Sequence, residues 1–282
     1  MASIIETVLY AVPAEQRKSV IVDADWNDKY GHLVILKTGN KYQIVINNCT
    51  VDSPFKITTP LIRWINEQEF LVTNSRTRSK SHNLYILSKD GSVKSSFYCG
   101  DAVEDVSPNK EGIWISYFDE GVFGKGISTE GLVLFSYGGQ PIFKFHSDLD
   151  RELVIGDCYA ICKSKANALW LCAFPDFNIV ELDKNKKVSC LYTIPSGMEG
   201  SKAINIRNDV VHFYSPHDNR YELYRCKLGS GNAVKVGCLE VHTVRGLGPR
   251  EYNHFISISD RSLRGIRVEE ASPYDQSRNF LV

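Results

Sequence analysis

Apolar positions along the chain fall into short runs rich in Val, Ile, Leu, Tyr, Phe and Trp, with Gly, Asn, Asp and Ser clustered between them. This is how strands joined by tight turns read in a sequence. No window of helical length places its apolar residues at i, i+3 and i+4, so the pattern predicts an all-β chain. The clearest strand is Gly112-Ile113-Trp114-Ile115-Ser116-Tyr117-Phe118-Asp119, and Ala168-Leu169-Trp170-Leu171-Cys172-Ala173-Phe174-Pro175 is a close relative of it. Weaker versions stand at Leu33-Val34-Ile35-Leu36, Phe70-Leu71-Val72-Thr73, Val211-His212-Phe213-Tyr214 and Phe255-Ile256-Ser257-Ile258.

Taking Val34, Leu71, Trp114, Trp170, His212 and Ile256 as equivalent positions, the successive spacings are 37, 43, 56, 42 and 44 residues. The marker runs are followed by a third strand, a turn and a fourth strand. After Trp114 these are Leu132-Val133-Leu134-Phe135, Tyr137-Gly138-Gly139 and Pro141-Ile142-Phe143-Lys144-Phe145. In the preceding unit the turn is Lys89-Asp90-Gly91-Ser92. Such turns suit hairpins because Gly, Asn and Asp accept positive φ at little cost. A four-stranded unit recurring every 40 to 50 residues or so has about the period of a propeller blade. The last unit lacks a good fourth strand, while residues 4–12 form an unpartnered strand ahead of the first unit. Joining the two closes a ring and removes two exposed edges.

The units are then 14–59, 60–98, 99–147, 153–195, 200–239 and 240–270 with 4–12, leaving 271–282 as a C-terminal tail. The chain thus resembles β-propellers over nearly its whole length. The expectation is one all-β domain of six four-stranded blades, or five if the ragged last unit is only a cap. The Gly-His and Trp-Asp marks of WD40 blades are missing, as are the recurring double glycine of kelch repeats and the Ser-x-Asp-x-Gly-x-x-Trp box of sialidase-like propellers. The resemblance therefore implies a fold and no particular activity.

Composition narrows the function classes. The 282 residues include 33 Lys and Arg against 33 Asp and Glu. Proteins that coat nucleic acid or anionic lipid draw affinity from a basic excess, so direct nucleic-acid binding is not expected. No apolar stretch reaches the roughly 20 residues of a membrane helix, and none near the start resembles a signal-peptide core. The eight cysteines, Cys49, Cys99, Cys158, Cys162, Cys172, Cys190, Cys226 and Cys238, are scattered without a C-x-x-C pair. They are expected to be buried, reduced thiols in a cytoplasmic protein that carries no cofactor.

In propellers the loops entering each blade share a face with those joining its second and third strands, and ligands usually bind there. On that face the sequence puts Asp101, Glu104 and Asp105 entering the third unit, with Asp119, Glu120 and Phe123 in its long loop. Asp148 and Asp150 enter the fourth unit, and Asp176 and Phe177 lie in that unit's loop. Residues 100–152 hold ten acidic against four basic residues, a local net charge of −6. They include the longest insertion, 119–131, with Gly121, Gly124 and Gly126. Insertions on one rim of a regular scaffold are a common place for function, although a solvated acidic edge would have the same composition. The stretch Arg76-Thr77-Arg78-Ser79-Lys80-Ser81-His82 is locally basic and reads as a charged turn.

A metal-dependent, lactonase-like hydrolase would need carboxylates and Asn converging on the central channel. Glu104, Asn205 and Asp25 are candidates, but Ile62-Arg63-Trp64, Ala160-Ile161-Cys162 and Thr243-Val244-Arg245 fall at comparable places and are poor ligands. No Gly-x-Ser-x-Gly elbow and no Gly-x-x-x-x-Gly-Lys loop occurs, and the seven histidines are dispersed. The expected function is therefore non-enzymatic: a protein, monomeric apart from its partner, whose preformed loop face engages a basic protein. An antagonist or immunity-type protein occluding a nuclease-like toxin fits this description. An interaction scaffold and the hydrolase are the alternatives.

Overall fold

The computed structural model describes residues 2–77, 79–149, 153–165, 167–239, 241 and 243–270, and among them lie 24 strands in six four-stranded antiparallel sheets. The chain opens with β1 (Ala2–Ala11). Blade 1 follows as β2 (Val20–Asn27), β3 (Gly31–Thr38), β4 (Lys41–Ile46) and β5 (Cys49–Asp52). Blade 2 is β6 (Pro60–Asn66), β7 (Glu69–Asn74), β8 (Leu84–Ser88) and β9 (Val93–Phe97). Blade 3 is β10 (Val103–Pro108), β11 (Ile113–Tyr117), β12 (Leu132–Phe135) and β13 (Pro141–Lys144). Blade 4 is β14 (Asp157–Lys163), β15 (Leu169–Phe174), β16 (Ile179–Leu182) and β17 (Val188–Tyr192). Blade 5 is β18 (Ala203–Arg207), β19 (Val210–Tyr214), β20 (Glu222–Lys227) and β21 (Val234–Cys238). Blade 6 combines β22 (Thr243–Gly246), β23 (Phe255–Ile258) and β24 (Ser262–Glu270) with β1. The architecture is a six-bladed β-propeller, and the residues read as a tail, 271–282, lie outside the described residues.

The stacking of the blades explains why the strand runs are almost continuously apolar. A sheet covered on both faces buries both sets of its alternating side chains. In β11, Ile113, Ile115 and Tyr117 pack toward blade 2, while Trp114 packs toward blade 4. In β15, Leu169 and Leu171 face blade 3, and Trp170 and Cys172 face blade 5. The core is accordingly divided into six apolar clusters, one at each seam between neighbouring blades. All eight cysteines are free, and Cys99, Cys158, Cys162, Cys172 and Cys226 are buried as expected. The other three depart from that expectation: Cys190 is half-buried, and Cys49 and Cys238 are exposed. They lie on β17, β5 and β21, the outermost strands, where one edge of each sheet meets solvent.

The ring is closed by β1. It pairs antiparallel with β24 from Ala2 opposite Glu270 to Ala11 opposite Ser262, with a bulge between Val8 and Tyr10. Tyr10 and Val12 are buried in the seam between blades 6 and 1. The Val12 N–H donates to the Arg261 carbonyl at 2.9 Å, and the Arg261 guanidinium donates to the Ser19 carbonyl at 2.8 Å.

Around the axis, the innermost strands are tied by side chains. Bulges at Ile21/Asp23 in β2 and at Val103/Asp105 in β10 interrupt the register just ahead of two carboxylates. The Arg63 guanidinium of β6 bridges these, donating to Asp23 at 2.5 Å and to Asp105. Asp23 also accepts the Ile62 N–H at 2.7 Å, and Asp25 accepts the Trp64 N–H at 2.8 Å. Arg245 of β22 pairs with Asp25 at 2.5 Å. In blade 5, the Asn205 amide donates to the Leu247 carbonyl at 2.7 Å and Arg207 donates to the Glu251 carbonyl at 2.8 Å. Burial alone would lower the pKa of Arg63, but Asp105, Asp23 and Asp25 outweigh it and hold the guanidinium above its ordinary value.

Two stability measurements follow from these contacts. Deleting residues 2–11 exposes the β24 edge and the apolar seam under Tyr10, and should cost several kcal/mol in a denaturant titration. A truncated chain that unfolds at the same midpoint would rule out the closure. Arg63→Leu leaves Asp23 and Asp105 in the ring without their shared counter-ion, and should cost about 3–5 kcal/mol. Lys227→Ala removes only the exposed pair with Asp209 and should cost less than about 1 kcal/mol. Equal losses in the two variants would show that the axial ion network is not structural.

Candidate functional site

The blades alternate strand direction, so loops entering a blade and loops joining its second and third strands open on one face, the entry face. The long insertion of blade 3 belongs to it. The Tyr117 hydroxyl donates to the Cys99 carbonyl. The Asp101 N–H donates to the Ser128 hydroxyl at 2.9 Å, and that hydroxyl donates to the Asp101 carbonyl at 2.8 Å. The insertion is thereby strapped to the loop entering the same blade. It begins with α1 (Asp119–Val122), a single helical turn. Gly121 is required there, because a Cβ would come within 2.9 Å of the Ala102 methyl and the Asp101 carbonyl. Beyond blade 3, α2 (Phe145–Asp148) forms a second short turn, and His146 joins the Thr129 carbonyl at 2.7 Å to the Ile155 N–H at 2.9 Å.

The turn of α1 delivers Phe123 to the surface with 75% of its area exposed. Its ring lies over Gly156, where a Cβ would come 3.5 Å from Phe123 and 2.9 Å from Phe174. Phe174 is 44% exposed and Val154, two residues before Gly156, is 54% exposed. An aromatic row continues inward. The Phe177 ring is 5.8 Å from Phe174, Tyr159 is 5.4 Å from Phe177, and His217 of blade 5 is 5.2 Å from Tyr159.

Carboxylates line the channel mouth beside this row. Burial pushes Asp157 up to about 6, Asp119 adds to the effect and His217 opposes it. Glu104 is pushed up to about 7, first by loss of bulk water and then by Asp105 and Asp157, against the pull of Lys202. Water reaches the Glu104 side chain, yet protein surrounds the mouth on most sides, which is how an accessible carboxylate can be poorly solvated. Among the described residues neither Glu104 nor Asp157 has a side-chain hydrogen-bond partner.

The residues singled out from the sequence are thus distributed unevenly. Asp119, Phe123, Phe177 and Glu104 come together around the mouth. Glu120 and Asp101 lie nearby but are engaged by Arg76, which also stacks over Phe118, and Asp101 accepts the Thr77 N–H as well. Glu104 and Asp105 lie within β10 and not in the entering loop, and Asp105 turns to Arg63 inside the channel instead of joining the rim. Asp148 accepts the Lys144 N–H at 2.8 Å, Asp176 is exposed in its turn, and Asp150 lies outside the described residues. Asp157, Tyr159, Val154, Phe174 and His217 were not picked out. Asp157 opens its innermost strand just as Glu104 nearly opens the one before, and that equivalence was the available signal.

The hydrolase candidates do not converge. Glu104 stands at the entry mouth, Asn205 is engaged with Leu247, and Asp25 is paired with Arg245 further along the channel. Among the described residues no group of three or more His, Cys, Asp or Glu is arranged to hold a metal ion. The far end of the channel widens into a cavity of about 540 Å³ on the opposite face, lined in part by Asp25, Arg63, Asp105, Lys163 and Arg245.

No family model and no curated protein matches the chain. Solved structures do. A catalytically inactive virginiamycin B lyase from Staphylococcus aureus, solved with quinupristin, is 13% identical and aligns over 92% of this chain and 82% of its own, with a TM-score of 0.56. Hsv2 of Kluyveromyces lactis is 14% identical over 94% of this chain and 77% of its own, with a TM-score of 0.55. YCF48 bound to D1 peptide is 10% identical over 95% of this chain and 97% of its own, with a TM-score of 0.53. A lyase and a peptide-bound protein share this scaffold, so the likeness carries architecture and not chemistry. By its fold the chain is a six-bladed β-propeller, a scaffold consistent with protein binding.

Proposed function

We propose that the chain is a non-catalytic binding protein whose entry face engages a basic protein partner across blades 3 and 4. The observation that supports this best is the pair of exposed aromatic rings Phe123 and Phe174 over Gly156, set beside the carboxylates of Asp119, Asp157 and Glu104. Large apolar side chains exposed together and rimmed by charge are the signature of a docking surface and not of a merely solvated edge. Aromatic anchors supply residence time, while the surrounding charge sets approach and orientation. A Lys or Arg from the partner would relieve Glu104 and Asp157, whose charged forms are disfavoured in the free protein. In its most specific form the partner is a nuclease-like toxin, and the propeller is the antagonist that covers it.

The test begins with the product of the adjacent reading frame, co-expressed and co-purified with this chain, and continues with association and dissociation rates. Asp119→Lys should slow association and weaken its dependence on salt. Phe123→Ala should chiefly speed dissociation, at a cost of roughly 1–3 kcal/mol. Rates unchanged in both variants would place the interface elsewhere and overturn the reading.

A pH series provides a second check. Glu104 and Asp157 take on full charge only as pH rises through about 7 and about 6, so association with a basic partner should accelerate over that window. Their raised values act oppositely on the free protein. The unfolded chain ionises first, so their contribution to stability is full at low pH and falls as pH climbs out of the ordinary carboxylate range. It is gone once pH has passed about 6 for Asp157 and about 7 for Glu104. The double variant Glu104→Gln, Asp157→Asn should flatten the association profile and raise the thermal midpoint at mildly basic pH. A double variant with the parent's pH profile would remove these two carboxylates from the interface.

A further inference from the structure

The cavity on the opposite face has the size of a small-molecule site, about 540 Å³ against the ~300–1,000 Å³ usual for such pockets. Trp26, Tyr30, Trp64, Tyr137 and Ile161 contribute apolar wall. Its charged groups differ in how far they are already committed. Arg63 is shared by Asp23 and Asp105, and Arg245 is held by Asp25. Asp25 also accepts the N–H groups of Trp26 and Trp64. Glu251 accepts the Asn27 amide at 2.8 Å and the Asp28 N–H at 2.9 Å.

Lys110 and Arg250 also line the cavity with no such partner among the described residues, but Lys163, the last residue of β14, stands at the end of an innermost strand. Its stem packs on Gly248, where a Cβ would come 3.4 Å from the Lys163 Cβ. Among the described residues its ammonium has no carboxylate at ion-pair distance and no hydrogen-bond acceptor. Water reaches its side chain, yet the protein around the mouth of the cavity desolvates the ammonium and depresses its pKa. Asp25 and Glu251 oppose that from a distance, and Arg245 and Arg63 reinforce it. Three donors therefore face a wet, aromatic-walled cavity, and among the described residues no protein group accepts from them.

We propose that this cavity binds a small organic anion, with one carboxylate or phosphate group on the Lys163 ammonium and an apolar body against Trp26, Tyr30 and Tyr137. A charge-assisted hydrogen bond to an oxyanion supplies what the protein withholds from Lys163. Trp26, Tyr30 and Tyr137 accept a planar ring, and the opening on this face admits it without disturbing the closed seams. The site is separate from the entry face and independent of the partner proposed there.

Tryptophan fluorescence reads the site, because Trp26 and Trp64 line the cavity while Trp114 and Trp170 lie in the seams. Titration with phenyl phosphate, benzoate and benzyl alcohol should give a saturable change with at least one of the two anions at millimolar concentrations, and a much weaker response with the neutral alcohol. The tighter of the two anions identifies the oxyanion. Lys163→Met should weaken that binding roughly 10- to 100-fold, and Lys163→Arg should restore most of it. Phe123→Ala, on the other face, should bind as the parent does. Equal responses to the alcohol and the anions, saturation by none of them, or parental affinity in a Lys163→Met variant that melts normally would each overturn the proposal.

Discussion

The Arg63 guanidinium lies between the carboxylates of Asp23 and Asp105 and so joins the innermost strands of three blades at the axis. Much else depends on this contact, because no backbone ladder runs from one sheet to the next. The ring must be held by what its side chains do. Apolar seams supply most of the attraction, but they are non-directional and would tolerate sliding. The ion network fixes register: Asp23 and Asp25 each accept a backbone N–H of β6, while Arg245 returns to Asp25 from blade 6. Buried ion pairs add little net stability compared with apolar packing, and their strength lies in how much is lost when one partner is removed.

A rigid ring with a closed edge leaves its two faces free to differ. On the entry face the insertion of blade 3 is anchored by Ser128 and His146, so Phe123 is presented from a braced loop. Preformed surfaces of this kind reduce the ordering that association would otherwise require. On the opposite face the same inner strands end in a cavity where Arg63 and Arg245 are held by carboxylates while Lys163 has no counter-ion among the described residues. Acid at one mouth and an unsatisfied base at the other arise from a single set of strands, because each runs from one face to the other.

The mouth residues stand against stability. Glu104 and Asp157 stand near one another at a mouth that protein surrounds on most sides, and both are pushed toward their neutral forms. A ring selected for stability alone would place Gln or Asn there. Strongly perturbed carboxylates cluster at functional sites, and the proposed interface makes use of these two.

The repeating pattern was sufficient to place the strands, the six units and the closing segment, because strand periodicity and turn chemistry are local properties. Val34, Leu71, Trp114, Trp170, His212 and Ile256 all fall on second strands, and residues 4–12 overlap β1. Phe123, Asp119 and Phe177 were legible for the same reason, being loop residues that interrupt a regular repeat. Tertiary structure decided the rest. Asp105 looked like a rim residue until Arg63, 42 positions earlier, drew it into the channel. The aromatic row of Phe174, Tyr159 and His217 exists only because blades 4 and 5 are neighbours in space. The exposure of Cys49 and Cys238 depends on which strand of each sheet is outermost. Lys163 is the extreme case, since the lack of a counter-ion belongs to everything around the residue and to nothing in its own segment. Sequence period sets which residues form strands, but charge pairing and solvation depend on distances that only the closed ring defines.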